Sequence, residues 1–327
     1  MIVDSFGRIH DYLRVSLTER CNLRCFYCMP EEGIVLRNRA EFMTAEELLK
    51  IASVFVNMGV KKIRITGGEP LVRKDFSHII SNLGKLPIEL ALTTNAVLIH
   101  KYIYDLKQAG VQNINVSLDS LKESKFNQIS RRNYYPQIRQ NIDSLLLEGF
   151  KVKVNVVLMK GINDDEIIDF IEWANQYDLQ VRFIEFMPFQ GNNWNLERKV
   201  SYAEIIEKVS GYYGLSKLQK LTDSKNDTCK NFIILGNYGS FGIISSITNP
   251  FCDSCNRIRL TADGKIKNCL FSQSETDLLT AVRKGANIEH IINDSIMSKK
   301  KERGGLSSFS NELVKELRNR TMVAIGG

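Results

Sequence analysis

The chain has 327 residues, of which 43% are hydrophobic and 25% charged, ordinary values for a globular protein of one or two domains. No apolar run approaches the length of a membrane span, and residues 1–10 lack the apolar region of a signal peptide, so we expect a cytoplasmic protein. Seven cysteines in such a chain favour metal binding or catalysis over disulfides. The formal net charge of +7 is only a weak indication of anionic partners.

The first predicted strand, residues 12–17, leads directly into a loop with three cysteines, Cys21, Cys25 and Cys28. Thiolates suit iron–sulfur clusters and zinc. A four-iron cluster with a full protein shell uses four thiolates, so a triplet leaves one iron open to another ligand. A zinc knuckle is the alternative, but it would need a fourth Cys or His nearby, and His10 precedes the strand.

Strands and helices then alternate. A capping box of Thr44 and Glu47 starts a helix over 44–58, which Gly59 ends. Further strands are predicted over 60–66, 88–94, 113–118, 151–159 and 180–187. Further helices are predicted over 74–83, 99–109, 136–147 and 164–176, the last with Asn163 as its N-cap. This alternation predicts an α/β fold, a partial (β/α)6 barrel of the TIM type whose site lies at the carboxyl ends of its strands.

Basic residues occupy strands that should be buried. Lys62, Arg64 and Thr66 share one face of the second strand, and the same spacing recurs in Lys151, Lys153 and Asn155. Arg14 and Arg182 lie in two other strands. Buried unpaired cations are costly, and acidic partners in these strands are few, namely Glu89, Asp119 and Glu185. We therefore expect a strongly anionic ligand, such as a polyphosphate, inside the barrel. The alternative is that Lys62 or Lys151 lies in water at the bottom of its strand.

The pattern changes after residue 190. A second capping box, Ser201 with Glu204, predicts a helix over 201–209, and a hairpin is predicted with strands at 233–235 and 241–247. A second triplet follows, Cys252, Cys255 and Cys269. Structural zinc is one interpretation, but beside the first triplet a second iron–sulfur cluster is favoured. Cys229 is either its fourth ligand or, as we favour, a buried thiol. A boundary near residue 225 divides the chain into a core barrel, 1–225, and a C-terminal domain, 226–327, that covers its open side.

Three short features complete the chain. Arg257 and Arg259 form a fork suited to phosphate or to a base that carries a carbonyl group. The run Lys299–Lys301 is predicted to be a solvent-exposed helix face rather than a nucleic-acid patch. By composition alone, the terminal Gly326-Gly327 would be a frayed end.

The sequence resembles the radical S-adenosylmethionine (SAM) superfamily in its first triplet, and the GTP 3′,8-cyclase family over nearly its whole length. The second resemblance rests on the second triplet with its two arginines, on the terminal Gly-Gly, and on the segments 12–16, 28–30, 63–70, 92–95, 115–119, 152–155 and 183–187. Ala96 stands where the family usually has glycine.

The resemblance implies a set of binding roles. Each triplet would hold a [4Fe–4S] cluster, the first binding SAM and the second binding the guanine of GTP. SAM would contact Tyr27, Gly68, Ser117 and Met187. GTP would contact Arg14, Arg64, Thr93, Lys153, Arg257, Ile258 and Arg259, to which Lys62 and Arg182 are added. Gly326 and Gly327 would reach back into the active site.

The resemblance also implies a reaction. A 5′-deoxyadenosyl radical takes the hydrogen from ribose C3′, and the C3′ radical adds to guanine C8. The product is (8S)-3′,8-cyclo-7,8-dihydroguanosine 5′-triphosphate, in the first step of molybdenum cofactor biosynthesis. The implied partners are an external one-electron reductant and a downstream cyclic pyranopterin monophosphate synthase, with no nucleic acid and no membrane. Whether the chain forms a homodimer stays open.

Two alternatives remain at this stage. One is another two-cluster radical SAM enzyme, such as a peptide maturase, and binding of GTP would distinguish it. The other is a non-enzymatic iron–sulfur electron carrier or zinc module, and cleavage of SAM would distinguish that.

Overall fold

A computed structural model describes residues 1–30, 33–34, 37–177, 179–306, 308–316 and 319–326. In the first part of the chain the strands are β1 (Tyr12–Ser16), β2 (Lys62–Thr66), β3 (Glu89–Thr94), β4 (Asn113–Ser117), β5 (Lys151–Leu158) and β6 (Gln180–Glu185). The later strands are β7 (Leu218–Lys220), β8 (Lys230–Ile234), β9 (Ser240–Ile244), β10 (Arg257–Leu260), β11 (Lys265–Lys267) and β12 (Thr276–Asp277).

Helices alternate with the first six strands and also follow β6 and β12. In chain order, they are α1 (Ala45–Asn57), α2 (Phe76–Leu83), α3 (Ile103–Gln108), α4 (Glu123–Ser130), α5 (Tyr135–Leu147), α6 (Ile167–Tyr177), α7 (Tyr202–Tyr213), α8 (Leu279–Arg283), α9 (Glu289–Met297), α10 (Asn311–Glu316) and α11 (Met322–Ile325). Among the described residues, no helix is long and apolar enough to cross a membrane.

The described strands form one sheet in the order β12-β11-β10-β1-β2-β3-β4-β5-β6-β9-β8-β7. From β1 to β6 all neighbours are parallel and follow the chain order, which confirms the predicted α/β partial barrel. The C-terminal part of the chain extends this sheet on both sides, because β10 pairs in parallel with β1 and β9 pairs in parallel with β6. The predicted hairpin is confirmed as the antiparallel pair β8 and β9.

The capping boxes form as predicted. The Thr44 hydroxyl accepts a hydrogen bond from the Glu47 amide at 3.2 Å, and the Glu47 carboxylate accepts one from the Thr44 amide at 2.8 Å. These bonds satisfy two amides that the first turn of α1 leaves without helical partners. The helix then buries Leu48, Ile51 and Phe55 against the sheet, at the spacing of one helical face.

Three local predictions were wrong. Residues 99–109 break at Tyr102 into a 3-10 turn and α3, and α4 was not predicted because its sequence lacks a clear apolar periodicity. Asn163 does not cap a helix with its side chain. Its side-chain amide nitrogen donates to the carbonyl oxygens of Asp119 and Val157 at 2.7 and 2.9 Å. Asn163 therefore ties the end of β5 to the loop after β4.

The strands alternate in character because the two faces of the sheet have different neighbours. On β5, Val152, Val154 and Val156 are buried in the main apolar core, which packs between sheet and helices. Lys153 and Asn155 point to the opposite face, where they line a cavity. A barrel packed solid would have apolar residues on both faces, so this alternation reserves the interior for a ligand.

Candidate active site

A cavity of about 380 Å³ lies on the inner face of the sheet. It extends from the first residues of β1, β2 and β4 to the loops at the carboxyl ends of the strands. All six strands from β1 to β6 contribute to it, together with β9, β10 and Met322. Its lining includes two carboxylates, Asp119 and Asp227, and seven basic side chains: Arg14, Lys62, Arg64, Lys153, Arg182, Arg257 and Arg259. The excess of positive charge fits an anionic ligand.

The first cysteine loop is anchored by its backbone. The amides of Arg24 and Phe26 donate to the carbonyl oxygens of Ser130 and Ile129 at 2.9 and 3.2 Å, at the end of α4. The Cys21 sulfur accepts from the Leu23 amide at 3.4 Å and from the Asn95 side chain at 3.7 Å. Hydrogen bonds of this kind orient a ligating thiolate and tune its basicity.

The three cysteine thiols of this loop need a nearby positive charge if they are to lose their protons. Burial raises the pKa of Cys21 to about 11, with a further contribution from Glu69. Burial also raises the pKa of Cys25 and Cys28 well above the ordinary value, and the mutual repulsion of the thiolates adds to it. A bound metal deprotonates a coordinating thiol because its charge offsets these costs. Three half-buried thiols that all line one cavity therefore fit the three-thiolate shell of an iron–sulfur cluster.

A glycine turn lies against this loop. A side chain at Gly68 would place its first carbon 2.5 Å from the Arg20 carbonyl oxygen, so only glycine lets the chains approach this closely. The next residue, Glu69, accepts hydrogen bonds from the Thr94 hydroxyl and the Asn95 amide, both at 2.7 Å. Burial nevertheless raises the pKa of Glu69 to about 7. This network connects the ends of β2 and β3 under the cysteine loop.

The residues expected to contact SAM come together. Tyr27, Gly68, Ser117 and Met187 all line the large cavity, beside the three cysteines. The Tyr27 hydroxyl donates to Asp119 at 2.7 Å, and the same carboxylate accepts from the Val157 amide at 2.9 Å. Burial and the Asp119 charge raise the pKa of Tyr27 well above its ordinary value, so the phenol stays protonated.

Most residues expected to contact GTP also line this cavity. Arg64 is only 5% exposed and donates to the Tyr12 hydroxyl and the Leu92 carbonyl, both at 2.7 Å. Burial and the nearby Arg182 lower the pKa of Lys153 to about 8. Ile258 is different, because its side chain is buried in the core and does not line the cavity, which leaves only its backbone for contact with a ligand.

The two added cations differ in their partners. Lys62 lines the cavity, pairs with Glu89 at 2.7 Å and lies over the Tyr12 ring. Arg182 donates to the Gln180 side chain at 2.9 Å. Lys151 is exposed at the start of β5, as the alternative interpretation expected for a strand bottom.

Three polar side-chain atoms on neighbouring strands of the cavity are buried without a hydrogen-bond partner among the described residues. They are the Thr93 hydroxyl and the side-chain oxygens of Asn115 and Asn155. Leaving such atoms unsatisfied costs about 1–3 kcal/mol each. Their position on β3, β4 and β5 indicates that a polar ligand completes their bonding.

The second triplet lines a smaller cavity of about 60 Å³ that holds Cys252, Cys255 and Cys269. The two cavities are neighbours, because both are lined by Ser246, Phe251, Arg257, Arg259 and Leu270. Cys229 lies elsewhere, buried beside Gly242 where β8 pairs with β9. In the part of the chain that the structure describes, no three His, Cys, Asp or Glu side chains are grouped to hold a single metal ion. A four-iron cluster holds its thiolates at separate corners, further apart than the ligands of one ion.

The C-terminal segment enters the cavity. Met322 lines it, and the Gly326 carbonyl oxygen accepts a hydrogen bond from Arg259 at 2.8 Å. Gly326 has a φ of 83°. It packs so closely on Ser16 and Thr66 that the first carbon of a side chain there would lie 3.0 Å from the Ser16 Cβ. The frayed end that composition suggested is therefore wrong for Gly326, and Gly327 lies outside the described residues.

Sequence reasoning missed two parts of the site. Residues 226–228, in the loop before β8, line the cavity, but a short polar loop carries no recognisable motif. Lys299 is buried against Cys255, so its predicted solvent exposure was wrong, whereas Lys300 and Lys301 are exposed.

Ala96 has a φ of 62°, a left-handed conformation that explains why the family usually has glycine at this position. The Asn141 side chain donates to the Ala96 carbonyl oxygen at 2.7 Å.

Comparisons with known proteins agree with these features. Residues 15–174 match the Radical SAM superfamily and residues 179–304 match Molybdenum Cofactor Synthesis C. The chain is 44% identical to "GTP 3′,8-cyclase, mitochondrial" of Arabidopsis thaliana, over 100% of this chain and 84% of that protein. It is also 44% identical to the GTP 3′,8-cyclase of Thermodesulfovibrio yellowstonii, over 99% of both chains.

Two further comparisons concern length and fold. The chain spans about half the length of the animal relatives named molybdenum cofactor biosynthesis protein 1, for example 51% of the human protein. The crystal structure of Streptococcus suis SuiB bound to S-adenosylmethionine shares the fold, with a TM-score of 0.66 and 15% identity over 97% of this chain and 77% of that one. The full-length similarity to two cyclases, together with both cysteine triplets, shows that the chain belongs to the GTP 3′,8-cyclase family of radical SAM enzymes.

Proposed function

We propose that this chain converts GTP into (8S)-3′,8-cyclo-7,8-dihydroguanosine 5′-triphosphate, the first step of molybdenum cofactor biosynthesis. The observation that carries the proposal is one strongly basic cavity that adjoins both cysteine triplets. The names of the two cyclases that match over most of their length support the same substrate.

The strand cations hold the triphosphate. Arg14, Arg64 and Lys153 reach the cavity from β1, β2 and β5, so they surround a polyanion from several sides. Lys62 and Arg182 add charge beside them. A triphosphate offsets the mutual repulsion of these groups, and the oxygens of Thr93, Asn115 and Asn155 are then available for hydroxyl groups of the substrate.

The opposite end of the cavity holds SAM and excludes water. Cys21, Cys25 and Cys28 would carry one [4Fe–4S] cluster and Cys252, Cys255 and Cys269 the other. When bound, the first cluster and SAM would supply the electron and the 5′-deoxyadenosyl radical, which removes the ribose C3′ hydrogen and leaves as 5′-deoxyadenosine. The C3′ radical would then add to guanine C8, and the purine radical so formed would take up one electron from the external reductant and one proton to give the 7,8-dihydro product. Tyr27, Gly68, Ser117 and Met187 would position SAM, and Arg257 and Arg259 would orient the substrate beside the second triplet.

An alternative enzyme class shares this fold. The SuiB structure with its precursor peptide has a TM-score of 0.64 to this chain. Identity of 16% is too low to carry substrate from one protein to the other. A peptide maturase would not need basic side chains from four strands facing inward, so the cavity favours a nucleotide. The external reductant, the downstream synthase, the cytoplasmic location, a homodimer and the domain boundary near residue 225 also remain proposals.

The test is anaerobic incubation of the reconstituted protein with SAM, dithionite and GTP, followed by mass spectrometry of the nucleotide. The cyclic triphosphate and 5′-deoxyadenosine should both accumulate. Cys269→Ala should still cleave SAM, because the first triplet is intact. It should form the cyclic product at least about tenfold more slowly, which is equivalent to about 1.4 kcal/mol in the barrier.

Cys229→Ala is the matched control. Its thiol is buried and lines neither cavity, so this variant should keep its iron and its product formation. GTP left unchanged by a protein that cleaves SAM would refute the proposed substrate. Near wild-type cyclisation by Cys269→Ala would instead refute only the role of the second triplet.

A further inference from the structure

Lys299 is a buried ammonium group beside the second cysteine triplet. Lys299 is only 4% exposed, although it lies two residues after the end of α9 and precedes two exposed lysines. Its Nζ lies 3.5 Å from the Cys255 sulfur and 3.2 Å from the Arg257 carbonyl oxygen. Neither of these contacts follows from the lysine-rich sequence around it.

The charge of Lys299 has no carboxylate partner. Among the described residues, no Asp or Glu oxygen lies within 4 Å of its Nζ, and the nearby Asp4 already pairs with Arg8 and His10. An isolated ammonium in the interior costs several kcal/mol unless an anion compensates it. The Cys255 sulfur is the group within hydrogen-bond distance that can carry negative charge, so the pair Lys299–Cys255 is where that compensation occurs.

The surrounding structure holds this ammonium in place. Asn268, next to Cys269, donates to the Ser295 carbonyl oxygen at 2.7 Å and so fixes the last turn of α9. On the other side, the Arg8 guanidinium donates to the carbonyl oxygens of Cys252 and Lys301 at 2.7 and 2.6 Å. Contacts from Cys252, from Cys255 and from the neighbour of Cys269 therefore converge on the segment that carries Lys299.

We propose that Lys299 is a positioning residue for the second iron–sulfur cluster: it orients Cys255 and raises the reduction potential of the cluster. The proposal rests on the proposed function, in which Cys252, Cys255 and Cys269 hold that cluster. Reduction adds one negative charge to a cluster. A nearby cation that donates to a ligating sulfur stabilises the reduced form more than the oxidised form, and hydrogen bonds, charge and burial are known determinants of cluster potentials.

The test compares four full-length holoenzymes: wild type, Lys299→Met, Lys299→Arg and Lys300→Met. Lys299→Met keeps most of the volume but removes the charge and the donor. Lys300→Met is the matched control, because it makes the same substitution at the exposed neighbour. Anaerobic potentiometric titration with electron paramagnetic resonance gives the potential of each cluster, and Cys269→Ala identifies the transition that belongs to the first one.

In Lys299→Met, reduction of the second cluster should become at least tenfold less favourable, which is a fall of about 59 mV for a one-electron couple. The first cluster should be unaffected, Lys299→Arg should recover most of the shift, and Lys300→Met should match the wild type. If Lys299→Met keeps about eight irons and both potentials of the wild type, the inference is wrong.

Loss of the cluster is also informative. If Lys299→Met loses the second cluster while Lys299→Arg keeps it, the charge is needed for binding, which supports the inference. If Lys299→Arg loses it as well, the fit of the side chain matters and not its charge, which overturns the inference. A wild-type protein with about four irons would instead reject the proposed second cluster itself.

Discussion

At the scale of single residues, the site depends on charged and polar side chains, only some of which have partners among the described residues. Arg64 and Lys62 have partners on neighbouring strands, whereas the oxygens of Thr93, Asn115 and Asn155 have none. Unsatisfied polar atoms at a binding site lower the stability of the free protein but become available to a ligand. Substrate should therefore stabilise this chain strongly, since it completes bonds that folding leaves open.

His10 is a second buried polar residue, and its chemistry gives a pH dependence. Its Nε2 lies 3.0 Å from the Asp4 carboxylate, and the side chain is only 1% exposed. Burial, with a further contribution from the Lys299 charge, lowers the pKa of His10 from its ordinary value of 6.5 to about 4. Below pH 6.5 the unfolded chain therefore binds a proton that the folded chain does not, and stability falls until about pH 4.

The prediction compares the wild type with His10→Gln. Between pH 7.5 and 5.5 the wild type should lose about 1.4 kcal/mol more unfolding free energy than the variant, one pKa unit of differential protonation. Anaerobic urea unfolding at three pH values measures this difference, with iron content at each pH as the control for cluster loss. Parallel pH profiles in the two proteins would show that folding leaves the pKa of His10 unchanged.

At the scale of elements, loops rather than helices carry the chemistry. The cysteine loop follows β1, the glycine turn follows β2, and the second triplet lies around β10 and the turn after β11. Each of these loops is tied to a neighbouring element by backbone hydrogen bonds, such as those of Arg24 and Phe26 to the end of α4. Rigid strands with anchored loops hold ligands more accurately than free loops would.

The segment formed by α11 and Gly326 is the element whose role is most easily tested. Gly326→Ala should lower product formation by at least about tenfold, because both its positive φ and its contact with Ser16 oppose a side chain. Gly285→Ala is the matched control, since Gly285 has φ of 72° with nothing within 4 Å of the added carbon. That control should cost about 1 kcal/mol in stability and leave activity unchanged.

The measurement is cyclic product per chain under anaerobic conditions with saturating SAM, with iron content and melting temperature alongside. Wild-type activity in Gly326→Ala would mean that the contact between Arg259 and the tail has no part in the reaction. Equal activity losses in the two variants would point to general destabilisation.

At the scale of the whole molecule, the C-terminal part of the chain is built into the barrel. β9 and β10 join opposite edges of the six-stranded core, and both cavities share five lining residues, so each triplet depends on both parts of the chain. We keep the boundary near residue 225 as a proposal about folding units, but it does not separate the two halves of the site.

Metal content tests this arrangement as a whole. Protein purified without oxygen should be brown and contain about eight irons per chain, because each triplet holds one four-iron cluster. Elemental analysis with Mössbauer spectroscopy measures this, and the two single variants Cys25→Ala and Cys269→Ala should each retain about half. Zinc with about four irons in the wild type would show that the second triplet is a structural zinc site.

Much of this protein can be predicted from local sequence. The alternating strands and helices, the capping box at Thr44 and the two triplets depend on residues close together in the chain. The inward cations were also predictable, because side chains alternate across a strand and a buried charge demands a partner. The resemblance to the family rested on the two triplets and on short segments spread along most of the chain.

Other features were decided only by tertiary structure, because they depend on contacts between residues far apart in the chain. Gly326 is ordered by Arg259 and Ser16, and Lys299 is buried by elements from both ends of the chain. Composition assigned both to solvent, since a Gly-Gly end and a lysine run are usually exposed. Asn163 looked like a helix cap, but its side-chain amide donates to the carbonyl oxygens of Val157, in β5, and of Asp119, 44 residues away in the loop after β4. Such choices are made by the free energy of packing and pairing across the whole fold, which no local pattern contains.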